Sequence, residues 1–139
     1  STDIITGFCS ETEEEHQDTL SMMEYAQYDY SYMFYYSERP GTLAARKYTD
    51  DVPEETKKRR LNEIIALQNK LSIESNLKDI GKTFKVLIEK NSKKSEAEWC
   101  GRNSQNKVIV FPKGNHKPGD YVNVLVESVT QGTLIGKVV

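Results

Sequence analysis

Few side chains in this sequence have the type and spacing of a catalytic or metal centre. Its two cysteines, Cys9 and Cys100, and two histidines, His16 and His116, show neither zinc-ligand nor iron–sulfur spacing. His16 falls on the apolar face of a helical pattern and reads as a packed core histidine. Cys9 precedes a helix N-terminus, a place that lowers thiol pKa, but has no adjacent basic partner. Cys100, inside an alternating segment, reads as a small buried hydrophobe. Anion chemistry is better represented. Arg39, in the loop Ser37–Thr42, could clamp a carboxylate or phosphate; equally, Glu38 and Arg39 could form an ordinary surface turn. Towards the C-terminus Lys82, Lys85, Lys93, Lys94, Arg102, Lys107, Lys113 and Lys117 interleave with Phe84, Trp99 and Phe111. Small barrels bind RNA with that mixture of cations and rings. Phe84 and Phe111 themselves read as core.

These residues need elements to position them. Asp3–Phe8 is a short apolar run ending at Gly7, the pattern of a strand meeting a loop. Thr12 and Glu15 have capping-box spacing, so a helix is expected over about 13–27, with His16, Leu20 and Met23 facing the core. The aromatic run Tyr30–Tyr36 reads as a strand covered on both faces, which completes a βαβ unit. Pro53 opens a second helix, expected over about 53–78. Leu61, Ile64, Ile65, Gln68 and Leu71 form its inner stripe; Lys57, Lys58, Arg59 and Arg60 read as its solvated face. After Gly81 the period changes from 3.6 to 2. Four or five short strands follow in under 60 residues, and such strands hide their edges best by closing. A small antiparallel five-stranded barrel of OB-like size is expected. The fold class is therefore α+β, with domains at 1–80 and 81–139.

Charge divides the chain similarly. Its 139 residues carry a net charge of −2, yet residues 74–139 hold eleven basic and seven acidic side chains. The basic part is the candidate for an anionic partner; mere mutual neutralisation of two halves is the plain alternative. No run of roughly 18 apolar residues is present and the first residues form no signal peptide, so no membrane span and a cytoplasmic protein are expected.

Several strings resemble one family. Thr2-Asp3-Ile4-Ile5-Thr6-Gly7-Phe8, followed by Glu11-Thr12-Glu13-Glu14, is similar to a late strand and helix of the partial TIM barrel of radical-SAM methylthiotransferases. Tyr36-Ser37-Glu38-Arg39-Pro40-Gly41-Thr42 resembles that family's Tyr-Ser-x-Arg-x-Gly-Thr segment, and Val52-Pro53-Glu54-Glu55 the helix start behind it. Gly101-Arg102-Asn103-Ser104-Gln105-Asn106-Lys107-Val108 resembles the core of a TRAM domain. Arg39-Pro40-Gly41-Thr42, Ser92-Lys93-Lys94 and Asn106-Lys107 are similar to the branch that modifies isopentenyladenosine in tRNA; the ribosomal-protein and threonylcarbamoyl-adenosine branches are alternatives.

The resemblance implies a C-terminal βαβα piece of the radical-SAM barrel followed by the TRAM domain. It implies a parent enzyme that adds a methylthio group to N6-isopentenyladenosine beside the tRNA anticodon, using S-adenosylmethionine and two [4Fe–4S] clusters. Ile5 and Gly7 would touch the adenine of the cofactor. Tyr36, Ser37, Arg39 and Thr42 would face the active-site mouth. Lys93, Lys94, Arg102, Asn106, Lys107 and Lys113 would contact the tRNA anticodon stem-loop. The family's CxxxCxxC motif does not occur here, so no catalytic residue, no metal and no activity are expected of this stretch alone. Cys9-Ser10 departs from the family's usual Pro-Gly, and His16 from a common aromatic. Outside the family, a stand-alone RNA-binding module and a self-associating structural protein are the other readings. An opened barrel should also expose apolar surface over residues 1–36 and permit self-association.

Overall fold

A computed structural model describes all 139 residues. The chain forms two compact units, Ser1–Leu71 and Ser72–Val139, dividing inside a long helix.

In the first unit, β1 (Thr2–Thr6), α1 (Glu13–Ala26) and β2 (Ser31–Tyr35) make the expected βαβ turn. The two strands pair in parallel, with Ile4 opposite Met33. Thr12 caps α1 reciprocally: its hydroxyl accepts from the Glu15 amide at 3.2 Å, and its own amide donates to the Glu15 carboxylate at 2.8 Å. Gln27, at φ 49°, closes the helix in the left-handed region. A short helix α2 (Leu43–Lys47), capped by Thr42, precedes α3 (Glu54–Leu77) and was not foreseen from the sequence. Met23, Ile64 and Leu71 form the core, with Ile4, Leu20, Met33 and Leu67 packed around them.

Two expectations for this unit are corrected. The tyrosine-rich strand is covered on one face only: Ser31 is buried and bonded to Gln68, whereas Tyr32 and Phe34 are 59% and 56% exposed beside Ile5 at 59%. Strand alternation sends these rings to the side that α1 and α3 do not cover. The basic face of α3 is also not uniformly solvated. Lys58 and Arg59 are exposed, but Lys57 and Arg60 are buried. Arg60 donates to the Glu11 carbonyl and to the Glu11 and Glu13 carboxylates, and Lys57 to Asp50, so both cations are matched where they enter the protein.

In the second unit, β3 (Thr83–Asn91), β4 (Glu98–Asn103), β5 (Val108–Pro112), β6 (Tyr121–Val129) and β7 (Leu134–Val138) close into a barrel of order β3-β4-β5-β7-β6. The expectation of a wholly antiparallel barrel is corrected, because β5 and β7 pair in parallel. An odd number of strands cannot alternate in direction all the way round, so closure leaves one like-directed pair. Val86, Ile88, Ile109, Phe111, Val124, Val126 and Leu134 fill the interior. Gly101 and Gly136 are required by close approach rather than by dihedral. A Cβ at Gly101 would lie 2.2 Å from the Leu87 carbonyl oxygen, and one at Gly136 2.1 Å from that of Leu125.

Candidate nucleic-acid interface

The strand ends of the first unit gather one group of the anticipated residues. Gly7 has φ +70°, donates its amide to Glu11 at 2.9 Å, and is buried. A Cβ there would meet Lys57 Cγ at 2.4 Å, so the side of Gly7 that lacks a side chain is filled by the chain's own lysine. Ile5, its partner in the expected adenine contact, is exposed. Tyr36 follows β2 with its amide bonded to the Thr6 carbonyl at 2.8 Å, and its hydroxyl is buried without a hydrogen-bond partner. Burial pushes its phenol above the ordinary value, and the neighbouring Cys9 thiol adds to the rise. Phe8 stacks edge-on against Tyr36 at 4.9 Å and Tyr48 at 6.0 Å. Ser37, Arg39 and Thr42 lie on the exposed loop beyond, where the Thr42 hydroxyl donates to the Arg39 carbonyl at 2.8 Å.

The barrel carries the second group. Outward positions of β3, β4, β5 and β7 line a groove of about 390 Å³. Cys100, Val110 and Ile135 sit side by side across its floor, Cys100 opposite Val110 on β5 and Val110 opposite Ile135 on β7. Lys93 and Lys94 rim one end with Glu98, Lys90 on β3 stands level with Cys100, and Arg102 and Val108 stand at the other end. Of the six residues expected to contact RNA, Lys93, Lys94 and Arg102 thus share one site. Asn106, in the tight turn after β4 at φ 63°, accepts from Arg102 through its carbonyl and side-chain oxygens at 3.1 and 3.0 Å, which directs the guanidinium. Glu89 lies 3.6 Å from Arg102. Lys113 sits apart from the groove, 4.3 Å above the Trp99 ring, whose indole donates to the His116 carbonyl at 3.0 Å. Lys107 is directed inward to Asp79 at 2.6 Å and to the Ser75 hydroxyl at 2.9 Å.

Residues 78–139 match the TRAM domain family. Over 138 residues the chain is 64% identical to the tRNA-2-methylthio-N(6)-dimethylallyladenosine synthase of Amoebophilus asiaticus, an alignment covering 99% of this chain and 28% of that protein. The synthases of the same name from Christiangramia forsetii and Phocaeicola vulgatus are 60% and 56% identical, over 97% and 99% of this chain and 28% and 30% of theirs. Over nearly its whole length the chain is therefore similar to one stretch of these synthases. It spans less than a third of the length of these relatives.

Against that synthase background, the cationic rim was legible in the sequence but the groove floor was not. Cys100, Val110 and Ile135 look like core residues in a one-dimensional pattern. Only the barrel's inward set, Gly101, Ile109 and Leu134, shows that their neighbours must point outward. Glu98 was missed for the same reason. The donor set does not suit iron–sulfur clusters: the two cysteines lie one in each unit. No helix is long and apolar enough to cross a membrane.

Proposed function

We propose that this chain is the C-terminal part of a tRNA-modifying methylthiotransferase, in which the barrel holds tRNA and the βαβ unit borders the radical-SAM active site. The parent protein would convert N6-isopentenyladenosine beside the anticodon to its 2-methylthio derivative. S-adenosylmethionine would supply the radical and the two clusters their electron and sulfur, and the cluster ligands would come from outside these residues. Ile5 offers an exposed apolar edge to the cofactor's adenine; Gly7, covered by Lys57, contributes backbone shape rather than open space. Tyr36, Ser37, Arg39 and Thr42 would flank the mouth from the loop after β2.

The observation that carries the reading is the convergence of Lys93, Lys94 and Arg102 on one groove of a closed barrel. Phosphate neutralisation supplies most of the affinity for nucleic acid, and a rigid barrel fixes where the bound strand lies. Lys113 over Trp99 extends this basic surface, while Lys107 braces it from within. The test uses the full-length enzyme with reconstituted clusters and follows nucleosides by mass spectrometry. The triple change Lys93→Ala, Lys94→Ala, Arg102→Ala should raise the KM for tRNA about tenfold, roughly what losing two or three exposed charge contacts does, and leave kcat nearly unchanged. An unaltered KM would contradict the assignment.

A further inference from the structure

We propose that the groove across β3, β4, β5 and β7 seats a single unstacked nucleobase of the bound RNA, packed on Cys100, Val110 and Ile135 and read along its edge by Glu98. The inference rests on the tRNA-holding role above and specifies how that surface meets the strand. A groove of about 390 Å³ is at the small end for ligand pockets and suits one nucleotide, not the broad face of a duplex.

Its charge order points the same way. The apolar row lies between two cationic ends, Lys93 and Lys94 at the β3–β4 turn and Arg102 at the far side. A backbone crossing the groove would place its flanking phosphates on those ends and turn the base inward over aliphatic carbon and sulfur. No ring lines the floor, so the base would be held by apolar packing and by its edge rather than by stacking.

Of the two acids that line the groove, Glu89 lies against Arg102 at 3.6 Å, and Glu98 sets selectivity. A carboxylate repels phosphate but accepts hydrogen bonds from exocyclic amino groups, which adenine and cytosine carry and uracil lacks. Glu98 is half-buried at the start of β4, opposite Pro112, and lines the same groove as Cys100 and Val110. The β6–β7 turn closes the remaining wall: Asn76 donates to the Thr130 and Gln131 carbonyls at 3.0 Å each, and the Thr130 amide donates to the Thr133 carbonyl at 2.8 Å.

Cys100 provides a probe that needs no substitution. The full chain is treated with a maleimide with and without a saturating hairpin RNA whose loop is all adenosine, and labelling of each cysteine is followed by peptide mass spectrometry. Bound RNA should slow modification of Cys100 at least fivefold and leave Cys9, in the other unit, unchanged. In parallel, fluorescence anisotropy should show the adenosine loop binding at least fivefold tighter than the same hairpin with a uridine loop. Glu98→Ala, which leaves no side-chain acceptor, should reduce that preference to under twofold, and Ile135→Trp, which fills the groove from an exposed position, should weaken both loops about tenfold. Tight, salt-dependent binding with Cys100 still fully reactive would overturn the groove assignment and leave the tRNA-holding role standing. No binding of either hairpin would overturn both.

Discussion

Lys107 Nζ lies 2.6 Å from Asp79 Oδ2, with the two side chains only 11% and 6% exposed, and this pair fastens the β4–β5 hairpin to the segment after α3. A lysine that looks in sequence like a phosphate contact is thereby a fastening of the fold. Lys82 shares the same carboxylate at 3.0 Å from its other oxygen.

Removing Lys107 is expected to leave a buried carboxylate with half its partners. Lys107→Ala should lower stability by about 2 kcal/mol, less than the full cost of orphaning a buried charge because Lys82 remains. Urea denaturation of the chain checks this. The same variant should alter the salt dependence of RNA binding less than Lys93→Ala does.

The pair also sets an acid limit. Burial alone would raise the Asp79 carboxyl, but hydrogen bonds and charge from Lys107 and Lys82 outweigh it and hold the group below its ordinary 3.8. A carboxyl lowered on folding stabilises fully above its unfolded value, and the contribution disappears as pH falls through the folded one. Thermal melts should therefore lose stability below about pH 4 in the wild type. In Asp79→Asn that part of the acid dependence should be missing.

Gly101→Ala and Gly136→Ala are each expected to cost about 3 kcal/mol or more, since the added methyl group meets a main-chain carbonyl on the neighbouring strand rather than a movable side chain. Circular-dichroism melts of the two variants provide the measurement. A loss under about 1 kcal/mol would mean that the strands separate easily at these points.

How much was readable beforehand follows from the physics of each element. The capping box at Thr12 and Glu15, the α3 stripe and the alternation after Gly81 are local signals, and each element appears where its pattern lies. The parallel β5–β7 contact is a property of closure, invisible in either strand alone. Likewise, nothing in Lys57-Lys58-Arg59-Arg60 tells which two cations turn inward. That depends on Asp50, Glu11 and Glu13, brought from other segments. On the barrel, cation types were legible, whereas the partition into Lys93, Lys94 and Arg102 at the groove and Lys107 at Asp79 required the folded barrel.

Glu13 offers a sharp spectroscopic check of the first unit. A hydrogen bond from Arg59, the largest influence, holds its carboxyl down at about 2 against desolvation, with a smaller contribution from Arg60. Arg59 Nη2 lies 2.7 Å from Glu13, tying α3 to α1, and its Nη1 bonds Glu63 within α3 at the same distance. In Arg59→Ala, NMR titration should show the Glu13 carboxyl moving up towards its usual 4.5. An unmoved midpoint would assign the depression to Arg60 alone.

Binding of an anticodon stem-loop RNA to the chain as salt is varied tests the groove most directly. Each phosphate neutralised should contribute about −0.7 to −0.9 to the slope of log K against log salt. The wild type should give a steep negative slope, and the Lys93→Ala, Lys94→Ala, Arg102→Ala variant one shallower by about 2 with unchanged thermal stability. A slope near zero, or one that the triple substitution leaves untouched, would contradict the assignment of this groove as the tRNA-holding surface.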